Sequence, residues 1–265
     1  MNPLFWHELR LNRRVLLALV VAVGLFSFGM ALVAPSIQET LSQTLKLVPS
    51  FLRPMVGERL QVQGLAGVFS VIYTHPVWMT LVGAWAVGYG SRAIAADIER
   101  GTLGLTLAYP LTRSQLVAAK ALTLATGLLA LALVTVLATA AGLAFQQEAL
   151  PAGMLGYAWA VVGMSLLFGG IGAFALACSA VASEGGKALG GALAFTLTSY
   201  ALDALGRLWK TADPYRAGSI FKYYDPKTLL EGTPPEPLAW AYLGGVTLAS
   251  LIVAWVAFNR RDLSI

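Results

Sequence analysis

Six long stretches of the chain are apolar and almost free of charged residues. A transmembrane helix needs about 20 mostly apolar residues to cross about 30 Å of hydrocarbon, and its backbone must satisfy its hydrogen bonds internally inside lipid. The stretches therefore predict an all-α polytopic membrane protein with six transmembrane helices. The predicted spans are residues 15–34, 76–90, 121–145, 153–182, 188–205 and 238–258.

The low content of charged residues excludes a soluble globular protein. Charged residues make up 12% of the chain, whereas soluble domains contain about 25%. The single cysteine, Cys178, excludes a disulfide framework and a cysteine-rich metal site. Because no His, Asp or Glu cluster has metal-ligand spacing and no nucleophile has a base partner, we expect no metal, cofactor or catalytic residue in this chain.

The net charge of +5 lies on one side of the predicted membrane. The termini and the loops 91–120 and 183–187 hold ten Lys or Arg residues and five Asp or Glu residues, whereas the opposite segments hold eight of each. The positive-inside rule then predicts a multi-pass protein of the cytoplasmic (inner) membrane with both termini in the cytoplasm. Because the basic residues follow the topology, they do not indicate binding to nucleic acid.

The segment before the first span combines apolar, aromatic and basic residues. Residues 1–14 are apolar on one helical face, and Arg10, Arg13 and Arg14 lie near the other. This pattern predicts an N-terminal interfacial helix along the inner leaflet. The alternative is an ordinary basic flank of a retained first span, since the apolar run that follows exceeds the roughly 7–15 residues of a signal-peptide core.

Loop 91–120 contains signals for a short helix between the second and third spans. Gly101 can take the left-handed conformation that closes a helix. Thr102 can cap a new helix over residues 103–108, which Pro110 would end. The loop therefore predicts a short crosswise helix suited to docking a soluble partner, and the alternative is a plain connection.

The third span is predicted to open with a capping box. Thr112 and Gln115 have the spacing at which a hydroxyl and a side-chain amide satisfy each other's backbone N–H groups. This places the start of the helix close after Thr112.

The same loop resembles the signature of type-2 ABC exporter permeases. That signature has an acidic residue before Gly-Thr, then Pro-x-Ser/Thr-Arg, then a Lys at the start of the next span. This chain has Glu99-Arg100-Gly101-Thr102, Pro110-Leu111-Thr112-Arg113 and Lys120 in that order. The six spans and the basic C-terminal end are also similar to the family over the whole chain.

The resemblance implies one transmembrane permease domain over residues 1–265, the membrane subunit of an ATP-driven ABC exporter. Two permease chains, expected as a homodimer, would pair with two copies of an ABC ATPase subunit, which would bind ATP and Mg. Loop 91–120 would hold the coupling helix that docks on the ATPase. The residues implicated in this ATPase coupling are Asp97, Glu99, Arg100, Gly101, Thr102, Pro110, Arg113 and Lys120.

The resemblance also implies individual roles within this set. Glu99 would face basic or amide groups of the ATPase, and Arg113 and Lys120 would anchor the third span at the lipid headgroups. The chain itself should not hydrolyse ATP. Gly186-Lys187 matches two positions of a P-loop, but Ala188 replaces the required hydroxyl residue and Val181 replaces the first glycine.

Asp203 is the one acidic residue within the predicted spans. Arg207, one helical turn later, is its expected ion partner. Asp203 is either a solvated helix end or part of an exit gate or pairing contact, and the two residues are candidate exit-side residues.

Two further features leave alternatives open. Small residues recur at four-residue spacing, and such stripes serve close helix packing either within a chain or at a dimer seam. The stripes are Gly169/Ala173/Ala177 and Gly186/Gly190/Ala194. The outer segment 35–75 is expected to be a loop with a short amphipathic helix after Pro35. Residues 214–237 are expected to form an outer lid or a belt in contact with lipid.

Two other function classes compete with the exporter hypothesis. An ATP-independent secondary transporter normally has intramembrane ion-coupling charges or broken helices in an inverted repeat. The third class is a membrane scaffold or assembly factor without transport. The scarcity of charge in the spans suits an apolar or amphiphilic substrate, whose identity the sequence does not reveal.

Overall fold

The computed structural model describes residues 3–47, 64–104, 111–148 and 153–261. The described part of the chain is helical and contains no strand, so the predicted all-α fold class is confirmed. Its helices are α1 Pro3–Leu47, α2 Gly64–Ile72, α3 Pro76–Arg92, α4 Ala95–Glu99, α5 Arg113–Phe145, α6 Gly153–Val181, α7 Gly185–Leu208, α8 Pro226–Leu230 and α9 Pro237–Arg260, with two 3₁₀ helices, Asp213–Gly218 and Ile220–Tyr223, between α7 and α8.

Five single helices and one bent pair supply the spans. Helices α1, α5, α6, α7 and α9 are each long and apolar enough to cross a membrane, and α2 and α3 meet at 54°. The bend arises because Pro76 begins α3 and disfavours a helical residue before it. His75 caps the new helix, with its Nδ1 accepting a hydrogen bond from the Val77 N–H at 3.3 Å. Counting the bent pair as one span gives six spans. Segment 35–75, which was predicted as a loop, contains the end of α1 and all of α2.

The first helix is longer than predicted. The interfacial position predicted for residues 1–14 stays a prediction. The described residues 3–14 run into the first span without a break, because the helix is continuous over 45 residues. The reason is that no Gly or Pro occurs between Pro3 and Gly24 to break the helix. Pro35 lies inside α1 without ending it. At 1.5 Å per residue α1 is about 68 Å long, more than twice the thickness of the hydrocarbon.

Helix α6 lies at the centre of the bundle and is the most buried of the spanning helices. Helices α3, α5, α7 and α9 pack around it. Glycines allow this close approach. A Cβ atom at Gly90 of α3 would lie 2.7 Å from the carbonyl oxygen of Gly172, and one at Gly172 would lie 2.9 Å from Leu124 of α5.

The two predicted small-residue stripes have different surroundings. Ala173 and Ala177 of the first stripe are buried in the chain, and Gly169 lies near Thr247 of α9. Gly186 and Gly190 of the second stripe are exposed, and nothing in the described structure lies within 4 Å of a Cβ built on either. The first stripe therefore serves packing within the chain, whereas the second faces away from it.

Aromatic residues before and within α3 donate hydrogen bonds to α5. Tyr73 Oη donates to Thr139 Oγ1 at 3.0 Å, and Trp78 Nε1 donates to Thr135 Oγ1 at 3.2 Å. Nearer the other end, Trp85 Nε1 donates to the Leu124 carbonyl at 3.1 Å and Tyr89 Oη to the Lys120 carbonyl at 3.3 Å. Because an unpaired buried donor is costly, these bonds fix α3 against α5 along its length.

The segment between α7 and α9 folds onto the bundle. Ile220 and Leu230 are fully buried, and a Cβ at Gly170 or Gly163 of α6 would overlap Ile220 or Leu229 respectively. Glycines on α6 thus make room for this segment. Residues 214–237, predicted as an outer lid or a lipid-facing belt, therefore pack on α6 through these side chains, and their contact with lipid stays a prediction.

Candidate functional site

The predicted coupling loop lies at what we call the basal end of the bundle, where α3, α6 and α9 finish and α5 and α7 begin. Helix α4 ends there in a Schellman motif. The Thr102 N–H bonds the Asp97 carbonyl and the Gly101 N–H bonds the Ile98 carbonyl, both at 3.0 Å. Gly101 has φ +68°, which confirms its predicted left-handed conformation. We call α4 together with this turn, residues 95–102, the basal elbow.

The start of the third span is also confirmed. Gln115 N donates to Thr112 Oγ1 at 3.2 Å, and Thr112 N donates to Gln115 Oε1 at 2.9 Å. This capping box begins α5 at Arg113, eight residues before the predicted span at residue 121. Most of the short helix predicted over residues 103–108, and Pro110 with it, falls outside the described residues.

A buried ion cluster joins the basal elbow to two spans. Lys120 Nζ of α5 lies 2.8 Å from Glu8 Oε1 of α1 and 2.8 Å from Asp97 Oδ2 of the elbow. The side chains of Lys120 and Glu8 are 5% and 8% exposed, and the exposed Arg100 adds a second cation 3.2 Å from Asp97. The headgroup anchor implied for Lys120 by resemblance is therefore wrong, because its ammonium group is buried between two carboxylates. We call Glu8, Asp97 and Lys120 the basal triad.

Glu99 connects the basal elbow to a third span. Its Oε2 accepts a hydrogen bond from the Gly185 N–H, the first residue of α7, at 2.9 Å. A carboxylate there also complements the positive end of the helix dipole. Although Glu99 is exposed, it has a partner within the chain, and its predicted contact with an ATPase stays a prediction.

Two arginines close helix ends at the basal end. Arg113 Nη1 donates to the carbonyls of Phe258, Asn259 and Arg261 at the end of α9. Arg261 Nη1 in turn donates to three carbonyls at the end of α6, and its Nη2 donates to Ser183 Oγ. Carbonyls in the last turn lack partners within the helix, so these guanidinium groups satisfy them. Arg113 therefore acts on α9, a contact that the implied headgroup anchoring did not include.

Ser179 fixes the entry to the basal elbow. Its buried hydroxyl accepts hydrogen bonds from the N–H groups of Ile94 and Ala95 at 2.9 and 2.8 Å. Both N–H groups stand at the start of α4, where the helix itself offers them no acceptor. The elbow is thus held directly to α5 by Lys120, to α6 by Ser179 and to α7 by the Gly185 N–H, and it is held to α1 through Lys120.

Sequence reasoning missed Glu8, Ser179 and Arg261 at this end. Glu8 carried a usable signal, because it is the sole acidic residue before Glu39 in an otherwise basic segment. The partners of Ser179 and Arg261 lie about 80 residues away, so no local spacing marks them.

At the opposite, distal end, Asp203 joins two arginines. Arg207 Nε lies 2.8 Å from Asp203 Oδ2, which confirms the predicted ion pair, and Arg216 Nε lies 3.0 Å from Oδ1. Burial lowers the pKa of the Arg216 guanidinium, but hydrogen bonds to Asp213 and Asp203 outweigh this and raise the pKa above its ordinary value. Gly206 makes room for the contact, because a Cβ there would overlap Arg216.

Replacing Asp203 with Ala should lower the free energy of unfolding by about 1–3 kcal/mol, because both charge-assisted hydrogen bonds are lost. The matched control is Asp213→Ala, since Asp213 is 61% exposed and bonds only Arg216; we expect it to cost under about 0.5 kcal/mol. Denaturant unfolding in detergent measures both. Equal losses in the two variants would contradict the structural role of Asp203.

Comparison with known proteins identifies one similarity. The family model described as "ABC-2 family transporter protein" matches residues 3–263, which is nearly the whole chain. No curated protein sequence matches it. The match includes the basal elbow, the basal triad and the distal arginines.

Proposed function

Since the chain belongs to the ABC-2 transporter family, we propose that this membrane permease works with a separate ABC ATPase and that ATP hydrolysis there drives export. In this proposal the chain supplies no catalytic group, and ATP and Mg are bound by the partner. The basal end lies in the cytoplasm, as the distribution of basic residues predicts, and the basal elbow receives the ATPase.

The observation that carries the proposal is the way in which the basal elbow is attached. Its two carboxylates reach three different spans, because Asp97 and the ammonium of Lys120 tie it to α5 and α1, and Glu99 ties it to α7. A protein that moved the elbow would therefore act on three spans at once. Rigid-body switching of helices requires a contiguous connection of this kind.

The elbow has free space beside it, which a movement of the elbow requires. A cleft of about 440 Å³ lies between α1, α3 and the elbow, and its lining includes Leu11, Trp85, Arg92 and Arg100. Arg92, at the end of α3, and Arg100, in the elbow, are exposed cations. They offer charge to a soluble partner that approaches from the basal side.

We further propose that two copies of the chain pair in the transporter. The exposed stripe of Gly186 and Gly190 supports this, because small residues let spans of two chains approach closely. In the pair, α7 of each copy would face its counterpart.

Affinity purification of the tagged chain from its native membranes tests the coupling role of Glu99. We expect an ABC ATPase to co-purify with the wild type and its recovery to fall about fivefold with Glu99→Ala, equivalent to about 1 kcal/mol. Glu99→Gln separates two causes, because the amide oxygen can still accept from Gly185 while the charge is gone. The matched control is Glu184→Gln, which removes an exposed acid at the same end.

Each result has a distinct meaning. Loss of the ATPase in both Glu99 variants supports direct docking on the charge, and loss only in Glu99→Ala supports an indirect role through α7. Undiminished recovery in both variants contradicts any docking role for Glu99. Absence of an ATPase from folded wild-type protein contradicts the proposed function and favours the scaffold or secondary-transporter class.

A further inference from the structure

The distal end contains a large polar cavity next to the Asp203 cluster. Its volume is about 1060 Å³, and it lies between the end of α2, the end of α7 and the segment that leads to α8. The residues around it are mostly polar or charged, which distinguishes it from the apolar surfaces along the spans. Five of them are cationic: Arg207, Lys210, Arg216, Lys222 and Lys227.

The positive charge of this distal cavity is incompletely balanced. In the described part of the chain, no ion pair involves Lys210, Lys222 or Lys227. The acids of the cavity have other partners. Asp225 accepts hydrogen bonds from Lys227 N and Thr228 Oγ1 at the start of α8, and Asp213 bonds Arg216. Among the described residues, these three ammonium groups therefore have no carboxylate partner, and Lys222 Nζ lies over the ring of Tyr223, 5.8 Å from its centroid.

The cavity wall also holds a buried hydroxyl group without a partner. Tyr224 is 4% exposed, and its Oη has no hydrogen-bond partner in the described structure. Burial raises the pKa of Tyr224 well above its ordinary value, so the hydroxyl keeps its proton at neutral pH and can donate it. Because the Tyr224 oxygen is buried from solvent, it does not itself face the cavity. The cations without a carboxylate partner in the described structure are what favour an anionic ligand.

An apolar groove continues from this cavity along the bundle. It has a volume of about 590 Å³ and lies between α3 and α7. Met79, Val87, Leu193 and Leu197 are among its lining residues, and Thr74 lines both the groove and the cavity. A ligand that occupies both would need an apolar part as well as an anionic part.

We propose that the groove and the distal cavity together bind an anionic lipid, with acyl chains between α3 and α7 and a phosphate headgroup at Lys210 and Lys222. Charge complementarity selects the headgroup, and the apolar lining selects the chains. That this lipid is the transported substrate rests on the proposed function, whereas its binding does not.

Displacement of a fluorescent phosphatidic acid from the purified full chain in detergent tests the proposal. We expect unlabelled phosphatidic acid to compete at least about tenfold better than phosphatidylcholine with the same acyl chains, and inorganic phosphate to compete negligibly at equal concentration. The double variant K210Q/K222Q should bind phosphatidic acid about tenfold more weakly, because two charge contacts of modest strength are lost. The matched control K187Q/R260Q removes two exposed charges from the basal end and should bind as the wild type does.

A second variant tests the groove. Gly88 lines it and has nothing within 4 Å of a built Cβ, so Gly88→Leu should fold normally and reduce the affinity for phosphatidic acid by filling space. Equal competition by both lipids, full competition by phosphate alone, or wild-type affinity in either variant would each overturn the proposal. The binding assay contains no ATPase, so these outcomes bear on the lipid site alone. Failure of any ATPase to co-purify with the chain would instead contradict the transport function and leave the lipid site intact.

Discussion

The Lys120→Met variant should unfold with a free energy about 3–5 kcal/mol lower than the wild type, because it leaves the buried carboxylate of Glu8 without its cation and weakens the pairing of the partly buried Asp97. Glu8 is 8% exposed and bonds Lys120 at 2.8 Å, and Asp97 retains only the exposed Arg100 as an ionic partner. Denaturant unfolding in detergent, followed by circular dichroism, measures the change. Lys187→Met is the control, since that lysine forms an exposed pair with Glu184.

A triple variant separates the charge effect from a packing effect. Lys120→Met combined with Glu8→Gln and Asp97→Asn has no uncompensated buried charge, so we expect it to regain much of the lost stability. A Lys120→Met loss below about 1 kcal/mol, the range of an exposed pair, would show that the basal triad is solvated and would remove it from the coupling path. A triple variant as unstable as the single one would assign the loss to packing instead.

The Gly127→Leu variant should lose about 3 kcal/mol, the upper part of the range for overpacking. A Cβ atom at Gly127 of α5 would overlap the indole ring of Trp85. That ring is 1% exposed, stacked on Tyr89 with a centroid distance of 4.9 Å, and bonded to the Leu124 carbonyl. It therefore has no alternative position nearby.

The matched control for Gly127→Leu is Gly245→Leu. Gly245 also lies in a spanning helix, but it is exposed and has nothing within 4 Å of a built Cβ. We expect the control to unfold within about 0.5 kcal/mol of the wild type, as surface substitutions usually do. Equal stability of the two leucine variants would mean that α3 and α5 separate easily, contrary to the hydrogen bonds between them.

The spanning helices and some of their ends could be predicted from local sequence. The length of the apolar stretches locates α5, α6, α7 and α9. The turn at Gly101 and the capping box of Thr112 and Gln115 depend on residues close in sequence, so they could be predicted as well. The length of α1 was missed because a change from a basic to an apolar face suggested a boundary where no residue breaks the helix.

The attachments of the basal elbow could not be predicted in this way. Lys120 and Arg113 were predicted to be headgroup anchors. Near the end of a span, the local sequence around a basic residue is the same whether its side chain lies in water or bonds another helix. Their partners, Glu8 and the α9 carbonyls, lie more than 100 residues away in the chain. Only the packing of the helices distinguishes the two cases.

The arginine contacts at the basal end also constrain how the protein is made. Arg113 emerges from the ribosome long before α9, and the end of α6 is closed by Arg261, which directly follows α9. Until the final helix is inserted, the carbonyls at the end of α6 and the guanidinium of Arg113 lack these partners. A chain in which α9 is not yet in place therefore has unsatisfied carbonyls at the end of α6, and the arrival of α9 completes the hydrogen bonding of a helix made much earlier.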